Sequence, residues 1–233
     1  MTKKTKGLIT VLTAYITAVI FGLISLHFSS NLSSMLQILI ADIIATFVIY
    51  AFSVSYKNSS FYDPYWSVIP PLIGFFWLAQ NDYIINTPSI LLMSAVLFWS
   101  LRLTYNWMKT WEGLHHEDWR YIDMRNKLGN SFEIIGNLGG IHFFPTFIVF
   151  FCCMPMAQDF SQDYNWTIFL GYGLCIIGVF FEIISDKQLH IFRKKHPSGT
   201  GIIQTGLWNY SRHPNYYGAV SYTHLRAHET ARH

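Results

Sequence analysis

Residues Gly206 to Gly218 read GLWNYSRHPNYYG, a polar and aromatic run that follows a long apolar stretch. Arg212 and His213 are residue types that grip phosphate, and Asn215 can hold an amide or a ribose hydroxyl. The flanking aromatics, Tyr216 among them, can stack on a flat ring. Basic and aromatic residues also anchor membrane interfaces, but an anchor needs no fixed order. Here Pro214 holds Asn215 two residues beyond the histidine. The pattern points to a cofactor-binding loop at a membrane face.

A second set lies just upstream. Glu182, Asp186, His190 and Arg193 are spaced by four, four and three, which puts them on one helical face. Pro197 ends that helix, and Ser198, Gly199 and Gly201 loosen the chain before the loop. Asp186 suits a ribose hydroxyl or an adenine amine, and Arg193 suits a phosphate through paired donors. A ladder of charges on a solvated helix end, with Lys194 and Lys195 snorkelling to headgroups, fits the same spacing.

Arg102 sits inside an apolar stretch with Tyr105 and Asn106 at neighbouring helical positions. A charge at that depth must face the interior and have a partner. Asp42 is the other mid-span charge, so a structural Asp42–Arg102 ion pair is one reading. The other is a polar pocket that positions a substrate oxygen, with Tyr105 as donor. His115, His116, Glu117 and Asp118 make a poor metal site, because adjacent histidines on a helix cannot face one ion. Cys152, Cys153 and Cys175 lie in apolar segments without ligand spacing and read as buried thiols. The chain has no GxSxG, no P-loop and no strand-linked GxGxxG, which leaves hydrolase, triphosphatase and soluble dinucleotide-binding readings unsupported.

The elements that must position these residues are membrane spans. With 52% hydrophobic and 12% charged residues, the chain is too apolar for an ordinary soluble domain. The expected fold is all-α, a polytopic transmembrane bundle with six spans: Leu8 to His27, Met35 to Ser55, Ser67 to Ala79, Ile90 to Met108, Ile141 to Ala157 and Trp166 to Ile184. The third is short and carries Pro70 and Pro71. Lys3, Lys4, Lys6, Lys57, Lys109, Arg120, Arg125, Lys127 and the basic residues after the sixth span fall in alternate loops. The loops between hold no lysine or arginine, so the amino terminus and the large polar loops are expected in the cytoplasm. Within the loop Lys109 to Gly140, a short helix is expected from near Asp118 to Gly129. The net charge of +3 suits an inner membrane face and does not point to nucleic acid.

The chain divides into a two-span segment (1–60), a main membrane domain (61–220) and a tail (221–233). The tail, within SYTHLRAHETARH, has no apolar periodicity and reads as non-native. A seventh span is expected in the natural continuation.

Several separated motifs, in order, resemble the steroid 5-alpha-reductase-like superfamily, in its bacterial branch of uncharacterised function. They are YDPYWSVIPP from Tyr62, RLTYNW from Arg102, HEDWRY from His116, SDKQLHIFR from Ser185 and TGLWNYSRHPNYYG from Thr205. The resemblance covers about residues 60 to 218 and implies a bundle of membrane helices holding NADPH in a cytoplasm-facing cavity. It also implies reduction of a carbon–carbon double bond in a steroid-like or other hydrophobic lipid. It carries cofactor contacts onto Asp186, Arg193 and Asn215, while Arg212, His213 and Tyr216 match the shared RHPNY motif. Glu182 stands where steroid-reducing relatives have an amide, and Ala219 where most have a glutamate. Arg102 and Tyr105 are the expected catalytic pair, polarising a substrate carbonyl. The expected partners are a lipid substrate and the surrounding membrane lipids, in the bacterial inner membrane. Two alternatives stand beside this one. A membrane methyltransferase of the isoprenylcysteine carboxyl methyltransferase type shares an RHPxYxG signature but uses S-adenosylmethionine. A non-catalytic membrane scaffold would bind no nucleotide.

Overall fold

The computed structural model describes residues 1–80, 82, 85–159, 166–196 and 201–215. Its regular elements are all helical: α1 (Lys3–Phe28), α2 (Ser34–Tyr56), α3 (Tyr65–Gln80), α4 (Thr87–Thr110), α5 (Trp119–Leu128), a π-helical stretch (Phe132–Phe143), α6 (Phe144–Cys153), α7 (Met156–Asp159) and α8 (Trp166–Lys195). No strand occurs among the described residues. The expected all-α polytopic architecture is the one observed. The tail at 221–233 and Tyr216 lie outside the described residues.

Among the described residues, five helical runs are long and apolar enough to cross a membrane: α1, α2, α4, the run Trp119–Cys153, and α8. The expected sixth, α3, forms as a helix of 16 residues despite Pro70 and Pro71. At 1.5 Å per residue it is about 24 Å long, short of the ~30 Å hydrocarbon core. The expected span from Ile141 begins earlier than its glycines suggested. Gly136, Gly139 and Gly140 lie within the π-helix instead of a loop. A side chain at Gly136 would come within 2.8 Å of Leu128 Cδ1 and 2.9 Å of Phe132 Cδ2, so close packing of α5 explains this glycine.

The chain folds as two compact units. The first comprises Met1–Ile85 and Leu103–Ser161, and the second Asn86–Arg102 and Gln162–His233. In the first unit α1 packs on α2 through small residues. Ala14, Ala18, Gly22 and Ser25 are buried on α1, and Ala41 and Ala45 on α2. Small side chains let the backbones approach where lipid offers no hydrophobic driving force.

The same unit locks two of the sequence motifs together. Asn58 Nδ2 donates to the carbonyls of Leu114 and His116 at 3.0 Å each. Glu117 accepts from Ser59 N at 2.7 Å and forms a two-pronged pair with Arg125. Asp118 caps α5 by accepting from Arg120 N, and its own amide donates to Ser60 Oγ at 3.1 Å. The Arg120 guanidinium holds the Asp118 carboxyl below its usual range. Tyr121 donates to Asp63 at 2.6 Å, tying HEDWRY to YDPYW. Burial pushes the Asp63 carboxyl up to about 6, against the Tyr121 hydrogen bond that lowers it. Gly129, at φ 52°, ends α5 where the sequence placed the stop, in a left-handed region that favours glycine.

Candidate functional site

The second unit holds most of the residues singled out for chemistry. Its described parts are the first turns of α4, the helix α8 and the segment 201–215. Ring contact between Phe98 and Phe180, 6.0 Å between centroids, joins α4 to α8. Arg102 then reaches across to α8, where its guanidinium pairs with Glu182 through one nitrogen and with Asp186 through the other. The side chains of Arg102 and Glu182 are 12% and 4% exposed, and that of Asp186 is 20% exposed. The sequence offered Asp42 as the partner of Arg102. Asp42 instead accepts from Tyr65 at 2.8 Å within the first unit.

The i,i+4 spacing of Glu182 and Asp186 explains this choice. Two carboxylates on one apolar helix face would repel in a low dielectric, and a planar guanidinium offers two nitrogens at matching separation. The trio still carries one more negative than positive formal charge. It therefore suits hydrogen-bond donors and repels anions.

The polar loop docks on α8 directly beside this trio. Trp208 Nε1 donates to the carbonyl of Ser185 at 3.1 Å. Leu207 N donates to Gln188 Oε1 at 3.0 Å. Gly206 makes the approach possible: its φ is +63°, and a Cβ there would lie 2.3 Å from Gln188 Nε2. The loop thus brings Asn215 onto α8, where its Nδ2 donates to Asp186 Oδ1 at 3.5 Å. Its Oδ1 is buried and has no partner among the described residues. Beside it, Phe181, Leu207, Tyr210, Ser211 and Pro214 line a pocket of ≈ 250 Å³.

The expected site residues thus fall into three groups. Asp186 and Asn215 come together, with Arg102 behind them. Arg193, Arg212 and His213 belong to the same unit and have exposed side chains. Tyr105 follows on α4, belongs to the first unit and is 67% exposed. Sequence reasoning missed Gln188 and Trp208 as the docking contacts, and did not assign Glu182 to Arg102. The i,i+4 acids Glu182 and Asp186 at the end of an apolar stretch of α8 were the available signal, because a buried carboxylate pair calls for a cation on another helix.

The chain is 23% identical over 196 residues to an uncharacterised protein of Schizosaccharomyces pombe. That match covers 72% of this chain and 56% of the relative, so the chain spans little more than half of the relative's length. No solved structure matches. Matched over residues 49–222, which take in both the motif clasp and the docked loop, the chain belongs to the family described as protein of unknown function (DUF1295), within the steroid 5-alpha-reductase-like superfamily.

Proposed function

We propose that this integral membrane protein is an NADPH-dependent reductase of a carbon–carbon double bond in a steroid-like or other hydrophobic lipid. The supporting observation is the loop docked on α8, which sets Asn215 against Asp186 with one buried amide oxygen lacking a partner. That oxygen suits the N–H of a carboxamide or the hydroxyl of a ribose. The donor set fits the cofactor in its division of labour as well. Asp186 accepts hydroxyl or amine hydrogens, while Arg193, Arg212, His213 and the following Tyr216 supply cations and an aromatic face for the phosphates and rings.

NADPH, when bound, supplies the hydride. Arg102 is a positioning residue in this reading, because both its terminal nitrogens already hold carboxylates and fix the α8 face. Tyr105 is the donor assigned to the substrate carbonyl, where it would stabilise developing negative charge. The distribution of lysine and arginine supports a cytoplasmic amino terminus and a cytoplasmic loop, and the membrane in this proposal is a bacterial inner membrane.

The test is thermal unfolding of the detergent-purified protein with NADPH, NADH and S-adenosylmethionine. A ligand at a hundredfold excess over its Kd stabilises the folded state by about 2.7 kcal/mol. Stabilisation by NADPH, followed by consumption of NADPH with an enone lipid, supports the reading. Stabilisation by S-adenosylmethionine alone would assign a methyltransferase, and none by any of the three would leave a scaffold.

A further inference from the structure

The interior of the first unit contains a file of hydroxyl groups ending at a carboxyl group, none of which the proposed reduction uses. Tyr65 donates to Asp42 Oδ1 at 2.8 Å, and Thr46 Oγ1 donates to Tyr65 at 3.2 Å. Thr46 and Thr146 are hydrogen-bonded at 2.9 Å, and Thr146 and Tyr62 at 2.7 Å. Each hydroxyl has a single hydrogen, which fixes the direction of the file. Because Thr46 gives its hydrogen to Tyr65, it must accept from Thr146, and Thr146 must in turn accept from Tyr62. Every link therefore points toward Asp42. These five side chains come from α2, α3, the turn before it and α6, and all five residues are at most 3% exposed.

Both neighbourhoods of the file leave an acceptor without a donor. Asp42 Oδ2 is buried and has no hydrogen-bond partner, and no ion pair reaches Asp42 among the described residues. The His142 ring lies 4.8 Å from the Tyr62 ring, between centroids. Its Nδ1 is 2.8 Å from the carbonyl of Asn137, so Nδ1 carries the hydrogen and Nε2 keeps a lone pair. Nε2 is also buried and unpartnered. The other titratable groups around the file include Tyr15 of α1, whose ring faces Tyr65, Tyr50 of α2, Glu133 of the π-helix, and Asp63 beside Tyr62, which accepts from Tyr121. Tyr15 and Tyr50 donate to the carbonyls of Phe61 and Glu133, and none of these groups is a cation. An ionised Asp42 would thus be an uncompensated charge among apolar helices, which is costly.

We propose that Asp42 is a proton-binding site inside the membrane domain, loaded and unloaded through Tyr65, Thr46, Thr146 and Tyr62. A proton from water adds to the Tyr62 oxygen while the tyrosine's own hydrogen passes to Thr146. Thr146 passes its hydrogen to Thr46, Thr46 to Tyr65, and Tyr65 to Asp42 Oδ1. With a hydronium ion as the donor, five O–H bonds break and five form, the hydronium becomes water, and a carboxylate becomes a carboxylic acid. Rotation of the four hydroxyls resets the file. His142 Nε2 supplies a base beside its outer end. The proton is the ligand this interior suits, since it needs no cavity of its own.

Infrared difference spectroscopy of the full chain in detergent, with transfer from H₂O to D₂O, tests the site and the file separately. At neutral pH the protein should show a protonated carboxyl C=O band that is absent in Asp42→Asn and shifted in frequency in Tyr65→Phe. The deuterium downshift of that band should slow about tenfold in Thr146→Val, equivalent to about 1.36 kcal/mol on the barrier. Thr146→Ser, which restores the hydroxyl, should return the parent rate. A spectrum without an Asp42-dependent band would overturn the site. Unchanged exchange in both Thr146→Val and Tyr62→Phe would overturn the file.

Discussion

Arg102 reaches Glu182 from a different helix, and the pair is almost wholly removed from solvent, with Glu182 4% exposed at its side chain. The same guanidinium also holds Asp186, so one residue of α4 fixes the face of α8 on which the polar loop docks. Removing one member of such a buried set strands the others.

Arg102→Ala should therefore lower stability by about 3–5 kcal/mol, the usual result of leaving a buried charge unpaired. Combining it with Glu182→Gln should recover part of the loss, because one stranded carboxylate becomes a neutral amide. Thermal unfolding midpoints of the single and double variants in one detergent measure the coupling. Strict additivity of the two losses would contradict the shared arrangement.

Gly206→Ala tests how the loop is attached. The new Cβ would meet the Gln188 amide at 2.3 Å in a backbone conformation at φ +63°. Gln188 can swing away, but only by giving up its bond to Leu207 N. The backbone strain and the lost hydrogen bond together should cost about 2–3 kcal/mol. Limited proteolysis around Tyr210 should quicken accordingly. Adding Gln188→Ala should relieve the clash and leave the φ strain, giving a partial recovery.

The helical spans, the α5 cap at Asp118 and its stop at Gly129 were legible because each rests on local chemistry: apolar length, a capping carboxylate and a left-handed glycine. The α8 stripe was legible for the same reason, since i,i+4 spacing lies within one helix. Partners across helices were not. Asp42 and Arg102 looked complementary in a list of mid-span charges, yet Tyr65 and the acids of α8 took those roles. The π-helix was also hidden, because Gly136, Gly139 and Gly140 read locally as a loop while packing against Leu128 and Phe132 calls for a residue without a side chain at Gly136. Asn215 could be picked from its motif, but its docking depends on Gln188 and Trp208, which carry no motif signal.

Asp63 gives the protein a dependence on pH with a definite sign. Its carboxyl is pushed up to about 6, mainly by burial, against an ordinary value of 3.8. Between these values the folded state holds a proton that the unfolded state has released. Stability from this group is therefore greatest below about 4 and falls as pH rises to about 6. Asp118 acts in the opposite sense, since its lowered carboxyl adds stability that is lost as pH falls. Asp63→Asn keeps an oxygen acceptor for Tyr121 and cannot ionise. The difference in unfolding midpoint between the parent and Asp63→Asn should shift in favour of the variant as pH rises from 4 to 7. A difference that stays flat over that range would contradict the burial of this carboxyl.

Asn215 allows the proposed cofactor contact to be tested apart from loop docking, because one end of its amide meets Asp186 while the other has no partner among the described residues. Asn215→Asp would place a second carboxylate against Asp186 and should cut NADPH-dependent stabilisation severely. Asn215→Ala removes the free acceptor and should weaken NADPH binding by about tenfold, the effect of roughly 1.4 kcal/mol. Asn215→Ala leaves the Trp208–Ser185 and Leu207–Gln188 bonds in place and gives up only a 3.5 Å contact to Asp186, so its unfolding without nucleotide should stay near the parent midpoint. Titrations of NADPH by thermal shift read both quantities at once. If the ligand-free midpoint falls and the NADPH response persists, Asn215 is a structural tie of the loop and the cofactor contact lies elsewhere.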